Sequence, residues 1–275
     1  MAFSVARSAG LGSFAARAAL AWIRRDPRAA ELQRTNFHGR AVSLAGGPAL
    51  AAGATVGAAF GARGAATTAA VVTAGAVSGA VGFYDDLVGD RPGQKAAKGF
   101  AGHLGALREG RVTSGLVKIA GVGGAALAAS ALLSRNRPRT GALDVLLGAG
   151  VIAGTANLLN LLDLRPGRAL KAGALIGAPL AIGRDGGVAA GALGAGAALA
   201  QADLNEEIML GDAGANAFGA LLGLALAART GPAGRALALT VLAGLTAASE
   251  KVSFTKVIQE TPWLRRADEL GRRPA

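Results

Sequence analysis

The chain has 275 residues, 52% of them hydrophobic and only 17% charged, well under the roughly 25% charged expected of a soluble domain. There is no Cys and there are only two His, which excludes disulfide frameworks, zinc ribbons, thiol nucleophiles and multi-histidine metal cages. The 43 Gly and the low aromatic content of 4% would make a poor aqueous core, yet small residues let helices in lipid approach closely. A net charge of +12 does not point to nucleic acid, because the basic residues are separated by long neutral stretches and stacking surface is nearly lacking.

In chain order, a first helix is expected over residues 3–23, interrupted by Arg17. That arginine argues against a cleaved signal peptide. The stretches 41–62 and 64–84 carry no charge, and each is near the roughly 20 residues that cross a bilayer. Further neutral runs follow at 119–134, 145–162, 186–202 and 213–228, with shorter ones at 172–183 and 236–249. The short ones need snorkelling Lys171 and Arg235 to reach across. The expected fold is all-α, a polytopic membrane protein of about nine (eight to ten) transmembrane helices, formed by residues 1–249. A cytoplasmic amphipathic and basic tail follows over 250–275, with Val252, Phe254, Val257, Ile258, Trp263 and Leu264 among six basic residues.

With nine spans the connecting loops alternate between two sides. The loops 24–43, 85–114, 163–171 and 203–212 and the tail carry 19 Lys and Arg; the opposite side carries 8, and Arg17 and Lys118 fall within spans. The positive-inside rule then puts the richer set in the cytoplasm and the N-terminus outside. The Arg135–Arg139 loop violates the rule locally.

The acids share that face. All but Asp144 and Asp185 of the 17 acidic residues belong to it, and Asp85-Asp86, Asp163 and Asp212 stand at helix ends. Adjacent carboxylates near lipid are costly without a compensating cation. Hard oxygen donors without Cys or clustered His favour magnesium, with manganese as its substitute. Lys95, Lys98, His103, Arg108 and Arg111 on the same face supply charge for a phosphorylated substrate. The bland alternative is that Asp85-Asp86 ends a helix and the basic residues meet anionic lipid heads.

Two motifs sharpen this. Asn157, Asn160 and Asp163 recur at steps of three, along about one helix face. Gly211-Asp212-Ala213-Gly214-Ala215-Asn216 precedes an apolar run, where free backbone N–H groups suit an anion. Read alone, the first fits interhelical hydrogen bonding and the second an ordinary Asp cap.

Taken in order from about Arg34 to Ala228, these segments resemble the polyprenyl-phosphate N-acetylhexosamine-1-phosphate transferase superfamily. The resembling residues are Gly46-Gly47, Gly82-Phe83-Tyr84-Asp85-Asp86, Asn157 through Asp163, and Gly211-Asp212-x-Gly214. The resemblance implies magnesium-dependent transfer of sugar-1-phosphate from a nucleotide sugar to a polyprenyl phosphate. The setting it implies is the plasma membrane of a bacterium, in cell-envelope polysaccharide or peptidoglycan assembly. It gives Asp85, Asp86 and Asp163 catalytic roles, Asp86, Asp163 and Asp212 to metal, and Asn157, Asn160, Lys95, Lys98, His103 and Gly211 to substrate. Pairing of two copies is common in the superfamily, and small-residue helices permit it.

The sequence departs from the pattern where a second carboxylate is expected. Pro166 stands there, flanked by Arg165 and Arg168, and no His-rich loop precedes the last span. Two readings therefore remain open: an active transferase of unusual specificity, or a catalytically impaired relative that binds lipid-linked intermediates or scaffolds envelope-assembly partners.

Overall fold

A computed structural model describes residues 2–89, 91, 99–135, 141–183 and 185–273. Helices dominate it: α1 Ala2–Arg25, α2 Gly46–Gly61, α3 Ala65–Val72, α4 Ser78–Val88, α5 Gly99–Arg108, α6 Ser114–Ser134, α7 Ala142–Leu162, α8 Arg168–Ala181, α9 Gly187–Leu204, α10 Gly211–Arg229, α11 Pro232–Ser249, α12 Phe254–Glu260 and α13 Pro262–Glu269. A π turn, Thr73–Val77, joins α3 to α4 in one continuous rod. A helix lies at each neutral run of the sequence.

Four of these rods are long and apolar enough to cross a membrane: Ala65–Val88, Ser114–Ser134, Ala142–Leu162 and Gly211–Arg229, with α11 and α12 a fifth if that pair, bent by 89°, is one span. The chain is thus a helical protein of membrane character. The other helices fall short of that length and apolarity: α8 has 14 residues with Pro179 inside, α2 has 16, and α1 carries Arg7, Arg17, Arg24 and Arg25.

The stretch 41–45 is neutral but not helical. Ala41–Ser43 forms β2, paired antiparallel with β1, Gln33–Thr35, in register Arg34 to Val42. Ser43 also bridges to Ile208 in parallel, its N–H donating to Glu207 and its carbonyl accepting from Met209. Charge counting senses hydration, not the backbone partner that decides strand against helix.

Helix α10 forms the axis of the bundle, buried nearly all round and packed on α7, α4 and α2, with Phe218 fully enclosed. Glycine sets the close approaches. A Cβ at Gly191 of α9 would lie 2.1 Å from the Gly57 carbonyl carbon of α2, so these backbones touch directly, as small residues allow. A Cβ at Gly82 of α4 would lie 2.3 Å from the Asp212 carbonyl oxygen. Only glycine lets α4 reach the first turn of α10.

Polar contacts join the loops at the two ends of the bundle. At one end Arg24 meets Glu207, Arg34 donates to the Asp86 carbonyl, Gly167 donates to Asp203, and Arg168 pairs with Asp268. At the other, Arg63 meets Asp185, Arg235 pairs with Asp144, and Arg7 lies over Phe60.

The tail differs from a single interfacial helix. It breaks into α12 and α13, where Trp263 is exposed, and the residues that follow fold back onto the bundle.

Candidate functional site

Helix α4 delivers Asp85 and Asp86 to the start of α10, because Gly82 one turn earlier lies flat on it. Both Asp86 oxygens are engaged there: Oδ1 accepts the Asp212 N–H at 2.8 Å and Oδ2 the Ala213 N–H at 2.9 Å. The Asp163 carboxyl, at the C-terminal end of α7, lies close to the Gly211 backbone. Asp86 thus satisfies two of the orphan donors at the α10 N-terminus, where negative charge is favoured. Gly211 takes φ +57°, a left-handed conformation suited to glycine.

Asp85 and Asp212 face each other across an ammonium. Lys118 of α6 places Nζ 2.6 Å from Asp85 Oδ2 and 2.6 Å from Asp212 Oδ2. Ser114, one turn earlier on α6, bonds the Asp85 carboxylate, and Thr113 caps the helix through the Leu116 N–H. The Arg34 guanidinium donates to the Asp86 carbonyl at 3.2 Å.

Beside this centre a cavity of about 230 Å³ opens between the β1–β2 hairpin and the loops after α7 and α9. Phe37, Asp163, Arg165, Pro166, Asp203 and Glu206 line it. The Arg165 guanidinium lies 4.0 Å from the Phe37 ring centroid. Burial, reinforced by Asp203, Asp212 and Asp86 nearby, pushes Asp163 well above the usual carboxylate range.

Glu206 pins the hairpin. Its buried side chain accepts from Asn36 Nδ2 and from Arg40 Nη1 at 3.0 Å, and lies 3.0 Å from His38 Nδ1. Burial alone would raise its pKa, but these bonds and the charges of His38 and Arg40 outweigh it, holding it below its ordinary value. Its φ of 60° is unusual for a residue with a side chain.

The structure therefore brings Asp85, Asp86, Asp163, Asp212 and Gly211 to one centre. Asn157 turns elsewhere, its Nδ2 donating to Thr246 Oγ1 of α11 at 3.0 Å, an interhelical bond. Asn160 stands at the end of α7, its carbonyl accepting the Asp163 N–H. Lys95 and Lys98 lie outside the described residues, as does the side chain of His103, which belongs to α5. Arg168 turns away from the centre to Asp268 and Thr255.

Sequence reasoning missed Lys118, Asp203 and Glu206. The signal for Lys118 was present: a lone basic residue in an apolar helix marks a function or a buried partner. Asp203 ends the neutral run 186–202 and carried the same signal as Asp163; Glu206 carries none, since acids in loops are ordinary.

Among the described residues no group of three or more His, Asp and Glu side chains is arranged to hold a metal ion. Two oxygen donors, Asp85 Oδ2 and Asp212 Oδ2, face one point there. A cation, the Lys118 ammonium, already stands between Asp85 and Asp212, and magnesium takes one or two carboxylates and completes its shell with water and phosphate. No family model and no curated protein matches the chain.

Proposed function

We propose that the chain is a magnesium-dependent transferase moving sugar-1-phosphate from a nucleotide sugar to a polyprenyl phosphate. In this reading nine helices span a bacterial plasma membrane, the N-terminus is outside, and the carboxylate end faces the cytoplasm. The observation that carries it is the meeting of Asp85, Asp86, Asp163 and Asp212, separated by up to 127 residues, at one end of the bundle, with Lys118 between Asp85 and Asp212.

Both substrates are anionic, so their approach must be compensated and aligned. Magnesium, when bound, screens the two phosphates and polarises the bond to the leaving nucleotide. Asp85 and Asp212 would hold it. Lys118, released from between them, would supply positive charge to a substrate phosphate, and Asp86 keeps the first turn of α10 rigid by capping it. The acceptor phosphate oxygen attacks the sugar-bearing phosphorus, the bond to the nucleotide breaks, and nucleoside monophosphate leaves. The cavity beside Asp163 has the planar Phe37–Arg165 wall that suits a base.

The test is turnover. Purified chain, polyprenyl phosphate, magnesium and a panel of nucleotide sugars should release nucleoside monophosphate, with loss in Asp85→Asn and Asp212→Asn. Lipid binding without turnover on any donor would instead favour the impaired, scaffolding relative.

A further inference from the structure

The C-terminal helices return to the wall of the Asp163 cavity and are held there by buried charge. Arg168 Nε and Nη2 bond Asp268 at 2.8 and 2.9 Å, with side chains only 5% and 9% exposed. Arg272 Nη2 reaches the same carboxylate at 2.7 Å, and Lys171 Nζ reaches the Asp268 carbonyl at 2.6 Å. Bidentate pairs withheld from water fix geometry as well as contributing energy.

The decisive contact lies one step further. Arg272 Nε donates to the Pro166 carbonyl at 2.8 Å, and the next N–H, that of Gly167, donates to Asp203 Oδ2 at 2.7 Å. These are the two polar groups of a single peptide plane. Its carbonyl is held by the tail and its N–H by Asp203, while Pro166 and Asp203 both line the cavity with Asp163. Gly167, with φ +73°, completes the turn into α8.

We infer that the C-terminal helix pair sets the wall of the donor cavity, with Asp268 and Arg272 as positioning residues. The kinetic arm of the test rests on the transferase reading; the exchange arm does not.

The experiment uses the full chain in detergent with Asp268→Asn, Arg272→Gln and the conservative Asp268→Glu. Arg272→Gln leaves the Arg168–Asp268 pair intact and so guards against general unfolding. Hydrogen exchange should rise at residues 163–168 and 254–273 in Asp268→Asn while α10 stays protected. In Arg272→Gln it should rise at 163–168. The donor KM should rise roughly tenfold with kcat within about twofold, the pattern of lost ground-state binding, and Asp268→Glu should recover much of it. The inference is overturned if the tail stays docked in Asp268→Asn, or if it is released and 163–168 exchanges as before. If no donor turns over, the exchange result still decides the inference while the transferase reading fails on its own.

Discussion

Replacing Lys118 by Met keeps most of the side-chain volume and removes the charge between Asp85 and Asp212. Nζ lies 2.6 Å from each oxygen, so the two are at most 5.2 Å apart (2.6 plus 2.6). Two full charges at that separation repel by about 3 kcal/mol at an effective dielectric near 20. The side chains are only 21%, 11% and 22% exposed, so water screens them partially. Lys118→Met should therefore lose on the order of 3 kcal/mol, in line with breaking a largely buried pair from one side. Thermal unfolding in detergent, followed for Lys118→Met, Asp212→Asn and the double variant, measures the coupling. The double variant should recover most of the single loss, because one of the repelling charges has gone. An unfolding midpoint for Lys118→Met equal to the parent's, or no recovery in the double variant, would refute the idea that this ammonium holds the carboxylates together.

Three further outcomes follow from the same geometry. Glu206→Gln strips the charge partner from Arg40 and His38 and should cost about 1–3 kcal/mol, read as faster hydrogen exchange over residues 33–43 with α10 unchanged. Gly82→Ala places a methyl 2.3 Å from the Asp212 carbonyl; the overpacking should cost about 1–3 kcal/mol and abolish turnover through displaced carboxylates, seen as a lowered unfolding midpoint and lost nucleotide release. Burial raises Asp268, but bonds from Arg168 and then Arg272 outweigh it and hold the carboxyl below its ordinary 3.8. Its contribution to tail docking is therefore complete above that pH and is lost as pH falls through the lower folded value. Limited proteolysis of residues 250–273 should stay slow from pH 7 to 5 and accelerate only in stronger acid.

The neutral runs located the helices because helix position is a local property, written in the absence of charge over successive turns. Which loops meet is a tertiary matter: Arg24 pairs with Glu207 and Arg168 with Asp268 at one end, Arg63 with Asp185 and Arg235 with Asp144 at the other. Asp85, Asp163 and Asp212 announced themselves as carboxylates beside apolar segments, where an uncompensated charge is expensive. Length and apolarity mark four or five of the helices as clear spans. Alanine and glycine are neutral without being strongly hydrophobic, so α2, α8 and α9 are helical yet fall short of the length and apolarity of a clear span.

Charge, neutrality and spacing are carried by the chain itself, and they were enough for helical class, helix positions and the acids at helix ends. Pairing is not local. Lys118 meets Asp212 across 94 residues, Arg168 meets Asp268 across 100 and Asn36 meets Glu206 across 170. Only the packed bundle decided that Asp86 caps a helix, that a lysine stands between Asp85 and Asp212, and that the tail closes on Pro166, because each depends on which helix ends the glycine contacts bring together.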